Sequence, residues 1–162
     1  MRHLLVTNDF PPKVGGIQSY LWELWRRLDP DDVVVLTTPH EGDRAWDSAQ
    51  PFRVVRSRRR VLLPSPSMVA EVDALADEVG AELVVLDPAL PVGAIGPHLH
   101  RPYGLVLHGA EVTVPGRLPI GRTLLADTLR GADLVVAAGG YPAAEAERAA
   151  RASLPVTIVP PG

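Results

Sequence analysis

Short apolar runs alternate along this chain with stretches whose apolar residues recur every three to four positions. Val33-Val34-Val35-Leu36-Thr37 is a continuous β-branched run, the pattern of a strand covered on both faces in a parallel sheet. Residues 4–6, 83–86, 103–107, 134–137 and 156–159 read the same way, and 52–56 reads as a shorter strand nearer the sheet edge, because its arginines need water. Between them, Ile17, Tyr20, Leu21, Leu24, Trp25 and Leu28 fall on one helical face and predict a helix over 17–28 that ends at Asp29-Pro30. Val69, Val72, Leu75, Ala76 and Val79 predict a second over 68–79, entered through Ser65-Pro66-Ser67 and stopped by Gly80. Helices are also expected over 120–130 and 143–152 and a short one within 91–99, while 39–51 reads as polar loop. Strands alternating with helices at this spacing predict right-handed βαβ units: an α/β, doubly wound, mostly parallel Rossmann-like sheet of about seven strands with helices on both faces.

Composition narrows the picture. A chain of 162 residues with 46% apolar content and a mean hydropathy of +0.10 has enough apolar surface for one well-cored domain, expected to span 1–162. No uncharged apolar run reaches 18 residues, and Met1-Arg2-His3 leads straight into a strand, so the expectation is a cytoplasmic protein. There is no cysteine, which excludes disulfides and thiolate chemistry. A net charge of −3 argues against nucleic acid as a partner.

Candidate chemistry collects where strands end, because ligands of open α/β sheets bind beyond the carboxyl ends of the strands. The stretch from Leu4 to Tyr20 places Asn8-Asp9 at the end of the first strand and Gly15-Gly16 at the start of the first helix. Backbone N–H groups at a helix N-terminus attract an anion, and glycine lets it approach without a Cβ in the way, so this stretch reads as a phosphate cradle. The alternative is a plain turn whose glycines only relieve strain. His108-Gly109-Ala110-Glu111 ends a later strand and is expected to face the same crevice, although a histidine hydrogen-bonded at a loop entrance and a surface Glu111 are the ordinary readings. Asp87 before Pro88 reads as a turn former, and His98 and His100 as surface residues without a third metal ligand nearby. Arg58, Arg59 and Arg60 beside Val61-Leu62-Leu63 form either a solvated face or a contact with anionic lipid headgroups. Trp22, Trp25 and Trp46 are too scattered for a stacking platform. The first strand is followed by neither G-x-G-x-x-G nor a P-loop, and no serine nucleophile elbow occurs, which disfavours nicotinamide dehydrogenases, P-loop enzymes and serine hydrolases.

The run from Thr7 to Tyr20, TNDFPPKVGGIQSY, resembles the N-terminal signature of family 4 retaining glycosyltransferases, and most closely their PimB-type phosphatidylinositol mannosyltransferases. His108-Gly109-Ala110-Glu111-Val112 is similar to that family's H-G-x-E segment, with Ala110 where the closest members often have histidine, and Val159-Pro160-Pro161-Gly162 is similar to the lead into its interdomain hinge. The resemblance implies the N-terminal half of a GT-B fold, with a second, nucleotide-sugar domain outside this chain. It implies that Gly15 and Gly16 approach the donor diphosphate, that His108 meets the donor sugar, and that Asn8, Asp9, Gln18 and Glu111 line the acceptor side. The implied partners are a nucleotide sugar, GDP-mannose in the closest members, and a lipid or polyol acceptor, with no cofactor or metal and peripheral membrane contact. The other reading is a non-catalytic binding or regulatory module that keeps the fold and the anion site; a small receiver protein would need an acidic cluster that is absent.

Overall fold

The computed structural model describes residues 1–110 and 119–162. Strand β1 (His3–Thr7) leads to helix α1 (Gly16–Trp25), and β2 (Val33–Thr37) to a short α2 (Asp43–Ser48) and β3 (Arg53–Arg56). Helix α3 (Pro66–Val79), β4 (Leu83–Asp87), a 3-10 helix (Val92–His98) and β5 (Tyr103–Leu107) follow. The chain closes with α4 (Pro119–Arg130), β6 (Leu134–Ala137), α5 (Gly140–Ala150) and β7 (Val156–Ile158). The strands form one seven-stranded sheet in the order β3-β2-β1-β4-β5-β6-β7, and every neighbouring pair is parallel. The order reverses between β1 and β4, the switch point at which such sheets bind ligands.

Alternation along the strands divides the core in two. Leu4, Val6, Val34, Leu36, Val84, Leu86, Leu105 and Leu107 point to the face covered by Met68, Val72 and Leu75 of α3, Leu125 and Leu129 of α4, and Ala143 and Ala146 of α5. Leu5, Val33, Val35, Val85 and Val106 point to the other, where Leu21 and Trp25 of α1 pack with Phe10 and Phe52. Residues buried on both faces are what produce unbroken apolar runs in sequence. Local chemistry sets the helix ends. The Ser65 hydroxyl accepts from the N–H of Met68 at 3.1 Å, opening α3 two residues ahead of its expected start. Gly80 closes α3 at φ 65°, a left-handed conformation in which a side chain is strained.

Two expectations are corrected. The stretch 39–51 is not all loop: α2 forms within it and sets Trp46 edge-on against Phe10, ring centroids 5.6 Å apart. Arg56 does not reach for water. Its guanidinium holds both carboxylate oxygens of Asp47, at 3.0 and 2.6 Å, and donates to the carbonyls of Thr38 and Pro11. β3 is the edge strand, as expected, but its last arginine faces inward as a clamp on α2 and two loops.

Candidate functional site

The switch point brings three strand ends together. Thr7 and Asp87 are register partners at the ends of β1 and β4, and His108 follows the last residue of β5. Asp87 is fully buried. The Thr7 hydroxyl donates to its Oδ2 at 2.7 Å and accepts from the N–H of Asp9 at 2.9 Å, while Oδ1 lies 2.6 Å from His108 Nε2. Burial pushes the Asp87 carboxyl above its ordinary value, against the hydrogen bond and charge of His108 and the hydroxyl of Thr7. Asp87 therefore is not the turn former expected from its position before Pro88. It links Thr7 to His108 beneath the crevice.

Tyr20 of α1 meets the His108 ring edge to face, centroids 5.5 Å apart, and its hydroxyl donates to the carbonyl of Val159 at 2.7 Å. Burial, and then the nearby Asp87, push the Tyr20 phenol up. Gly16, Ser19 and Tyr20 line a groove of about 510 Å³ whose other wall is Val159 to Gly162.

Gly15 caps α1 with no side-chain hydrogen bond to its first turn. A Cβ on Gly15 would lie 2.1 Å from Gln18 Oε1, whereas one on Gly16 would meet nothing within 4 Å. The two glycines thus differ: Gly15 makes room for Gln18, and Gly16 leaves open space at a helix N-terminus whose partial positive charge suits an anion. Gln18 is buried and donates to Asp9 Oδ1 at 2.8 Å, and Lys13 Nζ reaches the same oxygen at 2.9 Å. Asn8 donates to the carbonyl of Leu62 and accepts from its N–H, at 3.0 and 2.7 Å. The side chains of Asn8, Asp9 and Gln18 thus build the wall between strand and helix, a role their sequence positions do not reveal.

The remaining sequence candidates lie apart from the linked strand ends or outside the described residues. Arg58 and Arg60 are exposed beside Val61 and Leu63, each 55% exposed, while Arg59 pairs with Glu71 at 2.9 Å and donates to Ser67. Glu111 lies outside the described residues. His98 and His100 are exposed, and among the described residues no group of His, Cys, Asp or Glu is arranged to hold a metal ion. Thr7 escapes sequence reasoning, and Asp87, which the sequence places at a strand end, reads there only as a turn former. The available signal was an aspartate at the end of a strand buried in the middle of the sheet.

No protein-family model matches the chain. Curated relatives do. A GDP-mannose-dependent alpha-(1-6)-phosphatidylinositol monomannoside mannosyltransferase of Mycolicibacterium smegmatis is 32% identical over 98% of this chain and 44% of its own length. The protein of the same name from Mycobacterium tuberculosis is 34% identical over 99% of this chain and 44% of its own length. A GDP-mannose-dependent monoacylated alpha-(1-6)-phosphatidylinositol monomannoside mannosyltransferase of Corynebacterium glutamicum is 42% identical over 40% of this chain and 17% of its own length. The chain thus spans less than half the length of the relatives it matches. Among solved structures, Anabaena HepE in complex with UDP superimposes with a TM-score of 0.67 at 22% identity over 100% of this chain and 44% of its own. A sucrose-phosphate synthase from Thermosynechococcus elongatus superimposes with the same TM-score at 16% identity, over 100% and 90% of the two chains.

Proposed function

Since the chain belongs to the GT-B glycosyltransferases as a homologue of the PimB-type mannosyltransferases over almost its whole length, we propose that it forms one wall of the cleft of a retaining mannosyltransferase. In this reading the donor is GDP-mannose and the acceptor a lipid or polyol such as a phosphatidylinositol mannoside. The observation that carries it is the juxtaposition at the switch point: an uncapped helix N-terminus opening at Gly16, next to a strand end where buried Asp87 holds His108.

The chemistry follows from these parts. Breaking the bond between sugar and diphosphate places negative charge on the leaving group and positive character on the sugar. The N–H groups of α1 stabilise the first, and they do so without reorganising, because the helix already fixes them. His108 meets the sugar near the reacting carbon. Asn8, Asp9 and Gln18 shape the acceptor wall, with Glu111 as a further acceptor contact. Fixed dipoles and cationic side chains carry the leaving-group charge, so the proposal includes no metal ion. It also includes a second domain as the opposite wall, since placing donor and acceptor together and excluding water need both. Arg58 and Arg60, with exposed Val61 and Leu63, would bring this wall to an anionic membrane surface carrying the acceptor.

The test is transfer by the full-length protein, with GDP-mannose compared against GDP-glucose, UDP-glucose and UDP-N-acetylglucosamine, and a phosphatidylinositol mannoside in vesicles as acceptor. Mannose transfer with retained configuration is expected. Binding of nucleotide sugars without transfer to any acceptor would instead support the non-catalytic module.

A further inference from the structure

We infer that Asp87 is a positioning residue, locked by Thr7, that holds His108 with its proton on Nε2 and its ring at one fixed orientation at the crevice. The single proton of the Thr7 hydroxyl is directed at Asp87 Oδ2 at 2.7 Å, while its oxygen accepts from the N–H of Asp9. Oδ2 is therefore an acceptor, and the 2.6 Å contact between Oδ1 and His108 Nε2 shares one proton between carboxylate and imidazole. With Oδ2 taking the Thr7 proton, the proton on Nε2 gives the carboxylate two donated hydrogen bonds, one to each oxygen.

The surroundings support this assignment. From α1, the Tyr20 hydroxyl is turned to the carbonyl of Val159 and offers Asp87 no competing proton. From the loop after β1, the charge of Asp9 raises the Asp87 carboxyl, but Lys13 and Gln18 already occupy Asp9 Oδ1. Burial also works against ionisation of Asp87, and the two donated hydrogen bonds oppose it. Thr7 and Asp87 lie in β1 and β4, at the centre of the sheet, so the carboxylate cannot move and the imidazole cannot rotate without breaking a 2.6 Å bond. A carboxylate beneath the ring also stabilises positive charge on it, the state in which His108 is the better donor to a sugar hydroxyl or a departing oxyanion.

The inference rests on the mannosyltransferase reading only for its kinetic consequence, and the experiment separates the two. Long-range proton–nitrogen spectra of the full-length, nitrogen-15-labelled protein at neutral pH report each histidine's tautomer, with His108 assigned from the signal lost in His108→Gln. The expected result is a protonated Nε2. In Asp87→Asn the introduced amide donates to Nε2, so the proton should move to Nδ1. Thr7→Ser should keep the wild-type pattern, and Thr7→Val should broaden or mix it. An unprotonated Nε2 in the unaltered protein overturns the inference, and so does an unchanged tautomer in Asp87→Asn. If Asp87→Asn does not fold, the unaltered protein and the Thr7 pair still decide.

Where transfer is measurable, kcat of Asp87→Asn should fall roughly 10- to 100-fold, while KM for the donor changes less than about threefold. The reverse split, KM rising with kcat preserved, would make Asp87 a binding residue and overturn the assignment. Failure of all nucleotide sugars as donors removes the glycosyltransferase reading but leaves the tautomer result intact.

Discussion

Gly15 and Gly16 are adjacent, yet a methyl group added to each meets different surroundings. At Gly15 it strikes the Gln18 amide, which is buried and donates to Asp9. Gly15→Ala should therefore displace Gln18 and lower stability by about 1 kcal/mol, the net value of the lost hydrogen bond, read from denaturant unfolding. At Gly16 the added atoms enter open space. Gly16→Val should leave the fold within a few tenths of a kcal/mol and collapse transfer by the full-length protein, because a branched side chain then stands where the donor diphosphate must approach bare N–H groups. A folded Gly16→Val protein with near-normal turnover would reduce this glycine to a turn former. His108 shows the limits of a residue read alone: its sequence context marks a strand end, but its partner, Asp87, is 21 residues away, and Asp87's other partner, Thr7, is 80 residues from it.

Elements here are joined by polar links at their ends, and each link has a measurable consequence. The start of β1 and the end of α1 meet where Trp25 Nε1 donates to His3 Nε2 at 2.9 Å, with His3 Nδ1 on the carbonyl of Met1 at 3.2 Å. Only neutral imidazole can accept from Trp25. Burial lowers the His3 pKa from its ordinary 6.5, so the folded state favours the uncharged ring. The stability this link contributes is fully present above about pH 6.5 and is lost as pH falls through the lowered folded value. The wild type should lose more thermal stability than His3→Gln between pH 7.5 and 5, since glutamine accepts from Trp25 without titrating. Parallel pH profiles for the two proteins would refute the link. Arg56 joins β3, α2 and the two loops containing Thr38 and Pro11, with only 12% of its side chain exposed. Arg56→Met should cost about 3 kcal/mol in chemical denaturation, because it leaves Asp47 mostly buried without its partner. A loss below about 1 kcal/mol would place Arg56 among ordinary surface arginines.

At the scale of the molecule, charge and exposed apolar surface lie together on one segment. Arg58 and Arg60 are exposed beside Val61 and Leu63, whereas Arg59 is paired with Glu71, which excludes it from a simple count of membrane-facing charge. At about 1 kcal/mol per basic residue near an anionic surface, the double variant Arg58→Gln/Arg60→Gln should weaken co-sedimentation of the full-length protein with phosphatidylinositol-containing vesicles by roughly 30-fold. The difference should shrink with added salt as screening shortens the reach of the charges. Equal binding by both proteins would return the segment to a solvated face. No helix among the described residues is long and apolar enough to cross a membrane.

Burial on both faces of a parallel strand and on one face of a helix imposes periodicities that can be counted along the chain, and these alone give every strand and every long helix, though not the six-residue α2. The sequence by itself also marked Gly15-Gly16 and His108, since glycine at a helix start and a polar residue after an apolar strand are local signals. Tertiary structure decided what was not local. Which strand lies beside which is set by crossovers, and only the order β3-β2-β1-β4-β5-β6-β7 brings Thr7, Asp87 and His108 into one hydrogen-bonded line. The same is true of the loop walls: Asn8 clamping Leu62, 54 residues away, and Arg56 reaching Pro11, 45 residues back, are contacts between loops that the sheet brings together. A hydrogen bond between residues so far apart in sequence leaves no periodicity in either segment, so it becomes visible only when the sheet has closed.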